Sequence, residues 1–322
     1  MTTHMKIPAA IFLTACLSLM TCRTADGDQL PLFDAHAHQM PSSFPEDWLD
    51  SLFADHHPRG IVLMGIGDVL SPQADDPNRV VAFSNFHGVD DVNITQIQSQ
   101  LNNGMRGIGE ISIRHFASGS PPAAPVESDF DDPKLLQVYD LASQHGVPVN
   151  FHFDYHPDHI DEIIRTLPNY PDVTFIWAHA GDTQPGVLKR LMTQLDNLHI
   201  DISSRNPLSS FEGRPFSKSL QRLDESDGTI KTEWKTLFEI FSDRVLYGSD
   251  IGPSGRLDQY GQIQAYYRGI LGQLDPLAAE NIAYRNAWAL FPTTIPEPTS
   301  LTLLLLSLIA ASWSYRGRHR SA

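Results

Sequence analysis

The chain has 322 residues, a formal net charge of -15 at pH 7 and 41% hydrophobic residues, which is enough for one large domain with a substantial core. The acidity argues against nucleic acid as the main partner, because phosphate binding needs a basic patch. Both cysteines, Cys16 and Cys22, lie near the N-terminus, so the rest of the chain can form neither a disulfide nor a thiolate metal site. A metal would have to be held by histidine and carboxylate side chains.

Residues 1–25 are predicted to be a signal peptide. Lys6 precedes the apolar run IPAAIFLTACLSLM, which has the length of a signal-peptide core and is too short to span a membrane. Cleavage is expected near Ala25, or at LTAC (residues 13–16), which resembles a lipoprotein cleavage box and would leave a lipid on Cys16. Either route predicts export from the cytoplasm.

Eight short apolar runs between turn residues predict β-strands in the next part of the chain. They are LFDAHAH from Leu32, GIVLMGI from Gly60, RVVAFSNF from Arg79, MRGIGEISI from Met105, VPVNFHFD from Val147, VTFIWAHA from Val173, LHIDISS from Leu198 and RVLYGSD from Arg244. Most are separated by segments with helical spacing, such as DPKLLQVYDLASQHG, PGVLKRLMTQLDN and TEWKTLFEIFSD. The link GDVLSPQADDPN is short and rich in proline, so no helix is predicted there.

This alternation predicts an α/β fold, a (β/α)8 TIM barrel formed by residues 30–292 as a single catalytic domain. A doubly wound open sheet is the alternative, but no glycine-rich phosphate loop follows the first strand. Residues 259–291 would supply the closing helices. The segment SGSPPAAPVESDFDDP, from Ser118, is expected to be a long rim or lid loop after the fourth strand.

Polar residues with ligand chemistry lie late in these strands, at the end where a barrel has its cavity. His36 and His38 are two apart on one strand, so both would project from the same side. Burial of such side chains without a partner would be costly, and a divalent cation offsets that cost by binding several of them. Imidazole and carboxylate ligands suit zinc, and also manganese, iron or cobalt. The candidate ligands are His36, His38, Glu110, His152, His179 and Asp250.

Five motifs along the chain resemble those of the amidohydrolase superfamily, in particular its amidohydrolase-related branch. They are DAHAH on the first predicted strand, HFD on the fifth, WAHAGD on the sixth, LYGSD on the eighth and the closing AAENIAYRNAWALF. The resemblance extends from Leu32 to Phe291, which is nearly the whole predicted barrel. It implies a metal-dependent enzyme on a barrel fold.

The resemblance also implies roles for single residues. His36, His38 and His152 match metal ligands. Asp250 matches the aspartate that contacts the metal and handles the proton of the attacking water. His179 matches a histidine that either binds a second metal or polarises the substrate carbonyl, and both alternatives stay open.

Glu110 is where the chain departs from much of the superfamily. It lies where many members have a carboxylated lysine that bridges two metals, and it resembles the glutamate of TatD-type deoxyribonucleases and of glutamate-bridged lactonases. The amidohydrolase-related branch often has no ligand at this place. The sequence is therefore compatible with one metal or two, and with an ion pair between Glu110 and Arg106 or Arg114.

Three further residues are candidates for substrate binding. Arg114 and His115 follow Glu110 closely and would either hold an anionic group of the substrate or lie in a solvated loop. His156, in the loop after the fifth strand, would line the cavity.

These features predict an exported, metal-dependent hydrolase that uses one or two divalent ions to activate water. The water would attack a lactone, ester or amide bond of a small molecule, Asp250 would take its proton, and the metal or His179 would stabilise the oxyanion. The main alternative is a decarboxylase with one metal, a carbon–carbon lyase of the amidohydrolase-related branch. A TatD-like nuclease is disfavoured by the acidic charge, and a non-catalytic surface barrel by the complete ligand set.

The C-terminus has the three-part order of a sorting signal. Residues 293–300 form a linker with Pro-Glu-Pro at 296–298, and residues 301–322 contain an apolar stretch followed by Arg316, Arg318 and Arg320. This order resembles the PEP-CTERM tail of exported bacterial proteins, which implies membrane insertion and removal by an exosortase-type enzyme, and a short membrane anchor is the alternative. The arginines would stay in the cytoplasm, which places the barrel in the periplasm, on the membrane or at the cell surface of a Gram-negative-type bacterium. No pattern indicates the oligomeric state.

Overall fold

The structure is a computed structural model that describes residues 30–39, 47–65, 68–84, 86, 88–115, 125–209, 222–252 and 256–291. From Pro31 onward these residues belong to one compact unit. The predicted signal peptide, linker and C-terminal tail lie outside the described residues and stay predictions. Within the described part of the chain, no helix is both long and apolar enough to cross a membrane.

All eight predicted strands form. Their bounds are β1 Phe33–Gln39, β2 Gly60–Gly65, β3 Val80–Phe83, β4 Ile108–His115, β6 Val149–Phe153, β7 Phe175–Trp177, β8 Leu198–Asp201 and β9 Val245–Leu246. A further short strand, β5 Val126–Glu127, pairs antiparallel with the end of β4. The segment predicted as a long loop after the fourth strand therefore adds a short edge strand to the sheet.

The strands close into a barrel. The strand orders are β1-β2-β3 and β5-β4-β6-β7-β8-β9, and every pair except β5-β4 is parallel. An isolated parallel bridge between Ser84 and Ile108 joins β3 to β4, and another between Ala37 and Ile251 joins the chain after β9 to β1. Two backbone hydrogen bonds add to the contact between β1 and the chain after β9. The Ala35 N–H donates to the Tyr247 carbonyl, and the His38 N–H donates to the Ile251 carbonyl. The predicted (β/α)8 barrel is confirmed.

Helices follow the strands around the outside. They are α1 Trp48–His56, α2 Leu70–Asp75, α3 Ile94–Asn102, α4 Pro133–His145, α5 Ile160–Thr166, α6 Pro185–Gln194, α7 Thr232–Ile240, α8 Tyr260–Leu271, α9 Pro276–Glu280 and α10 Asn286–Leu290. Helix α4 shows why its sequence is helical: the Asp132 side chain accepts a hydrogen bond from the Lys134 N–H, Pro133 starts the first turn and Gly146 ends the helix in the left-handed conformation.

Helix α2 contradicts the prediction that its segment is irregular. The Asp68 carboxylate accepts hydrogen bonds from the N–H groups of Leu70 at 3.0 Å and Ser71 at 3.1 Å, which satisfies the first turn of the helix. Pro72 lies within that turn, where a missing N–H does no harm. The Gln73 side chain then binds Ala82 N–H at 2.8 Å. Capping and one tertiary contact therefore stabilise a helix that the composition disfavours.

An apolar cluster fills the barrel at the N-terminal end of its strands. Phe291, at the end of α10, lies against two of its aromatic rings, with centroids 6.3 Å from Phe33 and 5.4 Å from Phe83. The members come from strands on different sides of the barrel and from α10, so the cluster occupies the interior. They are Phe33, Ala35, Val62, Met64, Val81, Phe83, Ile176, Leu246, Ala287 and Phe291.

Strand β1 contains an irregularity that matters for the site. Its register against β2 shifts between Asp34 and Ala37. Neighbouring residues of a regular strand point to opposite faces, yet Ala35 belongs to the interior apolar cluster and His36 contacts residues across the barrel cavity. Because of this shift, the apolar residues at the start of β1 and the histidines near its end can all face the barrel interior.

Candidate metal centre

The structure brings all six candidate ligands together at the C-terminal end of the barrel. His36 and His38 lie on β1, Glu110 on β4 and His152 on β6, while His179 follows β7 and Asp250 follows β9. All are buried except His38 and Glu110, which are half-buried. The expectation that strand ends surround one cavity accounts for this convergence.

Glu110 lies between two groups of histidines. Its Oε2 is 3.5 Å from His36 Nε2 and 3.3 Å from His38 Nε2. Its Oε1 is 2.8 Å from His152 Nδ1 and 3.2 Å from His179 Nε2. In the described residues its ion pairs are with these histidines, and not with Arg106 or Arg114, the partners that the sequence left open.

Asp250 completes the first histidine group. Its Oδ1 lies 3.5 Å from His38 Nε2 and 3.9 Å from His36 Nε2. Its Oδ2 accepts hydrogen bonds from the Ser204 hydroxyl and the Arg256 guanidinium, each at 2.5 Å. One carboxylate oxygen therefore faces the histidines and the other is held by donors.

These residues fit a metal centre. Three sets of donor atoms drawn from the six candidates each lie within 4.8 Å of one another, as does a fourth set of His115, His152 and Asp154. The His36 and His38 Nε2 atoms face each other at 3.1 Å. Four imidazoles and two carboxylates are the donor types that bind zinc, manganese, iron or cobalt. The first three sets are His36, His38 and Glu110; Glu110, His152 and His179; and His36, His179 and Asp250.

The charges in the metal-free site are strongly coupled. Burial works to lower the pKa of His152, but the Asp154 and Glu110 carboxylates outweigh it and raise that pKa to about 10. Burial works to raise the pKa of Asp250, but Arg256 and the nearby histidines hold that pKa well below its ordinary value. The pKa of Glu110 is likewise held low by His36 and His152 against the effect of burial. The carboxylates and these histidines therefore stabilise each other's charged forms.

Two aspartates that the sequence analysis did not select hold the histidines in place. Asp201, fully buried at the end of β8, accepts a hydrogen bond from His36 Nδ1 at 2.9 Å and another from the His179 N–H at 3.1 Å. Asp154 lies 3.1 Å from His152 Nε2. Carboxylates in this role orient metal-binding imidazoles. Asp154 is the last residue of the predicted strand VPVNFHFD, so the rule that selected the ligands also applied to it, whereas Asp201 lies in the middle of the predicted run LHIDISS.

His179 lies in an unusual turn. His179, Ala180, Gly181 and Asp182 all have positive φ, at 54°, 51°, 61° and 47°. For a residue with a side chain this left-handed conformation costs roughly 1–2 kcal/mol. Gly181 is required here, because a Cβ at this place would lie 2.2 Å from the Trp177 ring. Strain of this kind persists only where surrounding contacts fix it.

The three predicted substrate-binding residues lie in different surroundings. The His115 ring contacts the His152 ring at 4.2 Å between centroids, and its Nδ1 is 3.1 Å from Asp154. The Arg114 guanidinium instead packs over the Phe153 ring at 5.6 Å. The half-buried His156 side chain pairs with Asp158, 3.8 Å away. The structure brings His115 to the ligand cluster, and within the described residues it shows no such contact for Arg114 or His156.

Arg256 is a residue that sequence reasoning missed. Besides Asp250 Oδ2, its Nη1 donates to the Asp250 carbonyl at 2.8 Å and to Ser204 Oγ at 3.2 Å. Arg256 lies a few residues beyond the LYGSD motif and belongs to no recognisable pattern. Only the folded loop shows that a cation faces the aspartate.

Comparisons with known proteins agree with this geometry. The family model described as Amidohydrolase matches residues 102–293. No curated protein sequence matches the chain significantly. An uncharacterized TIM-barrel protein from Bordetella bronchiseptica is similar in structure, with a TM-score of 0.54 and 16% identity over 76% of this chain and 82% of that one.

Two further solved structures carry activities in their names. A probable 2-pyrone-4,6-dicarboxylic acid hydrolase from Acinetobacter baumannii has a TM-score of 0.54 and 14% identity, over 81% of this chain and 98% of its own. A dihydroxybenzoic acid decarboxylase from Polaromonas sp. JS666, with bound manganese, has a TM-score of 0.50 and 13% identity, over 80% and 89%. At such identities these likenesses establish the fold alone. The family model, in contrast, covers more than half of the chain, and the chain belongs to the amidohydrolase family.

Proposed function

We propose that the chain is an exported, metal-dependent hydrolase with a two-ion centre, acting on a lactone, ester or amide bond of a small molecule. The observation that carries this proposal is the position of Glu110, whose two carboxylate oxygens face two different histidine groups. A carboxylate with both oxygens engaged in this way is suited to bridge two cations. The export part rests on residues 1–25 and 293–322 alone, and intact-mass analysis of the mature protein tests it.

Two of the donor sets include Glu110 and would each hold one ion. His36, His38 and Asp250 would hold one ion with Glu110 Oε2, and His152 and His179 would hold the other with Oε1. Divalent ions supply Lewis acidity in such a site and lower the pKa of water toward roughly 7. The elemental analysis that counts the ions also identifies the native metal among zinc, manganese, iron and cobalt.

Asp250 is the residue placed to move the proton. Its Oδ1 faces the histidines, while Ser204 and Arg256 hold Oδ2. This arrangement leaves one oxygen to take the proton of the attacking water and to return it to the leaving group. Arg256 lowers the pKa of Asp250, which keeps the carboxylate deprotonated, as a general base must be before it accepts a proton.

Decarboxylation is the alternative activity that the experiment must distinguish from hydrolysis. A one-metal lyase would use His36, His38, His152 and Asp250 and would need no ligand at Glu110. The decarboxylase from Polaromonas, with its bound manganese, shows that the same fold supports that chemistry. Hydrolysis is preferred here because Glu110 contacts both histidine groups.

The test is the metal-to-protein ratio of the full-length protein, compared with Glu110→Gln and with the control Glu127→Gln, which changes an exposed glutamate of β5. We expect two ions in the parent protein and the control, and one in Glu110→Gln. Hydrolysis of lactones and esters should fall more than about 100-fold in Glu110→Gln only, since even residues that merely orient metal ligands change activity by 10–100-fold. One ion unchanged by the substitution, with carbon dioxide released from an aromatic acid, would overturn the proposal, and so would the absence of metal binding.

A further inference from the structure

Arg205 is a fully buried arginine beside the metal centre. It follows β8, and its guanidinium binds backbone carbonyls of the turn that carries His179. Nε donates to the His179 carbonyl at 2.7 Å, and Nη2 donates to the carbonyls of Ala180 at 3.2 Å and Thr183 at 3.0 Å. A buried cation is costly unless it is well satisfied, so this fork of hydrogen bonds is a strong local constraint.

The left-handed turn presents those carbonyls together. His179 and Ala180 are left-handed residues with side chains, and a free chain would seldom place them so. Their carbonyls nevertheless meet one guanidinium, whose planar fork holds several acceptors in fixed directions. The turn and Arg205 are therefore matched: the Thr183 N–H donates to the Ala180 carbonyl at 3.2 Å within the turn, and the arginine adds donors to this carbonyl and to those of His179 and Thr183.

The segment around Arg205 holds His179 at several atoms. Asp201 accepts the His179 N–H at 3.1 Å, Ser203 Oγ bonds the ring at Nδ1 at 2.8 Å and Arg205 binds the carbonyl. The remaining ring atom, Nε2, then faces Glu110 Oε1 at 3.2 Å. Of these three residues, Arg205 is the one that also binds carbonyls of the following residues, Ala180 and Thr183.

Arg205 is itself held by the outer helices. Its guanidinium lies over the Trp234 ring of α7, 5.2 Å from the ring centroid. The backbone N–H of Arg205 donates to the Tyr267 hydroxyl of α8 at 3.1 Å. These contacts fix the arginine relative to the barrel wall, so it can act as a rigid support.

We propose that Arg205 is a positioning residue for His179: it holds the left-handed turn so that His179 Nε2 faces Glu110 and the second ion can bind. This inference rests on the proposed function, because it assigns His179 to the second ligand group. It predicts that Arg205 acts on one half of the centre only. Among the described residues, no hydrogen bond joins His36, His38 or Asp250 to the turn's carbonyls.

The first test compares Arg205→Met and Arg205→Lys with Arg165→Met, which changes an exposed arginine outside the site. Methionine keeps an apolar stem beneath Trp234 and removes the fork. We expect both Arg205 variants to lower affinity for the second ion by about 10–100-fold, the range for residues that orient metal ligands, while the first ion stays bound. Turnover should fall with the second ion and KM should change little. Full retention of two ions and of turnover in both folded variants would overturn the proposal.

The second test is a rescue. Glycine adopts the left-handed conformation without steric penalty, so Ala180→Gly should restore at least part of the second-ion affinity lost in Arg205→Lys. Ala178→Gly is the matched control, because Ala178 is not among the described residues with positive φ and gains nothing from glycine. Equal effects of the two glycines would show a general change in stability and would contradict the proposal.

A third comparison separates this inference from the proposed function. In a His179→Ala background, Arg205→Met should cause no further loss of metal or turnover, because the residue that it positions is gone. If the parent protein binds fewer than two ions, the proposed function fails, and crystal structures still decide on Arg205. The His179 Nε2 to Glu110 Oε1 separation, 3.2 Å here, should increase in Arg205→Met, and an unchanged turn would overturn the positioning role.

Discussion

The two ends of the barrel are built from opposite kinds of side chain on the same strands. At the N-terminal end Phe33, Ile176 and Leu246 meet in an apolar cluster. A few residues later on the same chain segments, His36, His179 and Asp250 form one of the clusters that could hold a metal ion. The difference shows that stability and chemistry are separated along each strand, as expected for this fold. Changes at one end should therefore leave the other largely intact.

The strongest test of this separation removes the aromatic ring that closes the apolar end. Phe291→Ala deletes a completely buried side chain and should lower the free energy of unfolding by about 3–5 kcal/mol, measured by urea denaturation. The metal-to-protein ratio at saturating metal should not change. Leu277→Ala, at a residue 60% exposed, is the control and should change stability by less than about 0.5 kcal/mol. Loss of metal in a folded Phe291→Ala protein would refute the separation.

A smaller effect is expected from changing Asp201, which binds two histidines of the polar end. Asp201→Asn keeps the shape of a buried side chain but weakens its bonds to His36 Nδ1 and to the His179 N–H. Metal affinity should fall by about 10–100-fold, as measured by competition with a metal chelator. Asp196→Asn, at an exposed aspartate, should leave affinity unchanged. An Asp201→Asn protein with parental affinity would show that this carboxylate does not orient the ligands.

The dependence of metal binding on pH should sharpen the comparison further. The raised pKa of His152, about 10, stabilises the metal-free fold fully below the ordinary histidine pKa, and this contribution is lost as pH rises toward 10. The lowered pKa values of Glu110 and Asp250 stabilise the fold above the ordinary carboxyl pKa, and that contribution is lost in acid. A metal must displace the imidazole protons, so affinity should rise about tenfold per pH unit for each proton released.

Manganese titrations between about pH 6 and 8 measure this slope, since protonated histidines must release protons in that interval. Phe291→Ala should show the same slope as the parent protein, because its change lies at the apolar end. A slope near zero would mean that the histidines are already neutral in the metal-free protein, contrary to the pKa shifts described above.

Sequence patterns were sufficient for the strands and for the candidate ligands. The apolar runs and the turn residues between them located all eight barrel strands. The position of polar residues late in these strands selected six side chains that the fold brings together. Helix α2 was missed because its stability comes from the Asp68 cap and from the contact of Gln73 with the next strand. The composition of a segment does not report such contacts.

The parts that sequence could not predict depend on packing between distant segments. Arg205 and Arg256 belong to no motif, and their importance appears only when their loops fold against His179 and Asp250. Asp201 is a different case: it lies in the middle of the predicted run LHIDISS, and only the observed end of β8 puts it at the carboxyl edge of the sheet. For Glu110 the sequence left a bridge and an ion pair open, and the distances to four histidines favour the bridge.

The position of Phe291 has a consequence for how the barrel is presented to its surroundings. Phe291 and Phe33, near the two ends of the described domain, meet in the cluster at the N-terminal face of the barrel. The chain therefore enters and leaves on the side opposite the metal centre. A tether continuing from either end, such as the anchor predicted for residues 301–322, would start from the back of the barrel. The candidate ligands would then lie on the face directed away from the attachment point.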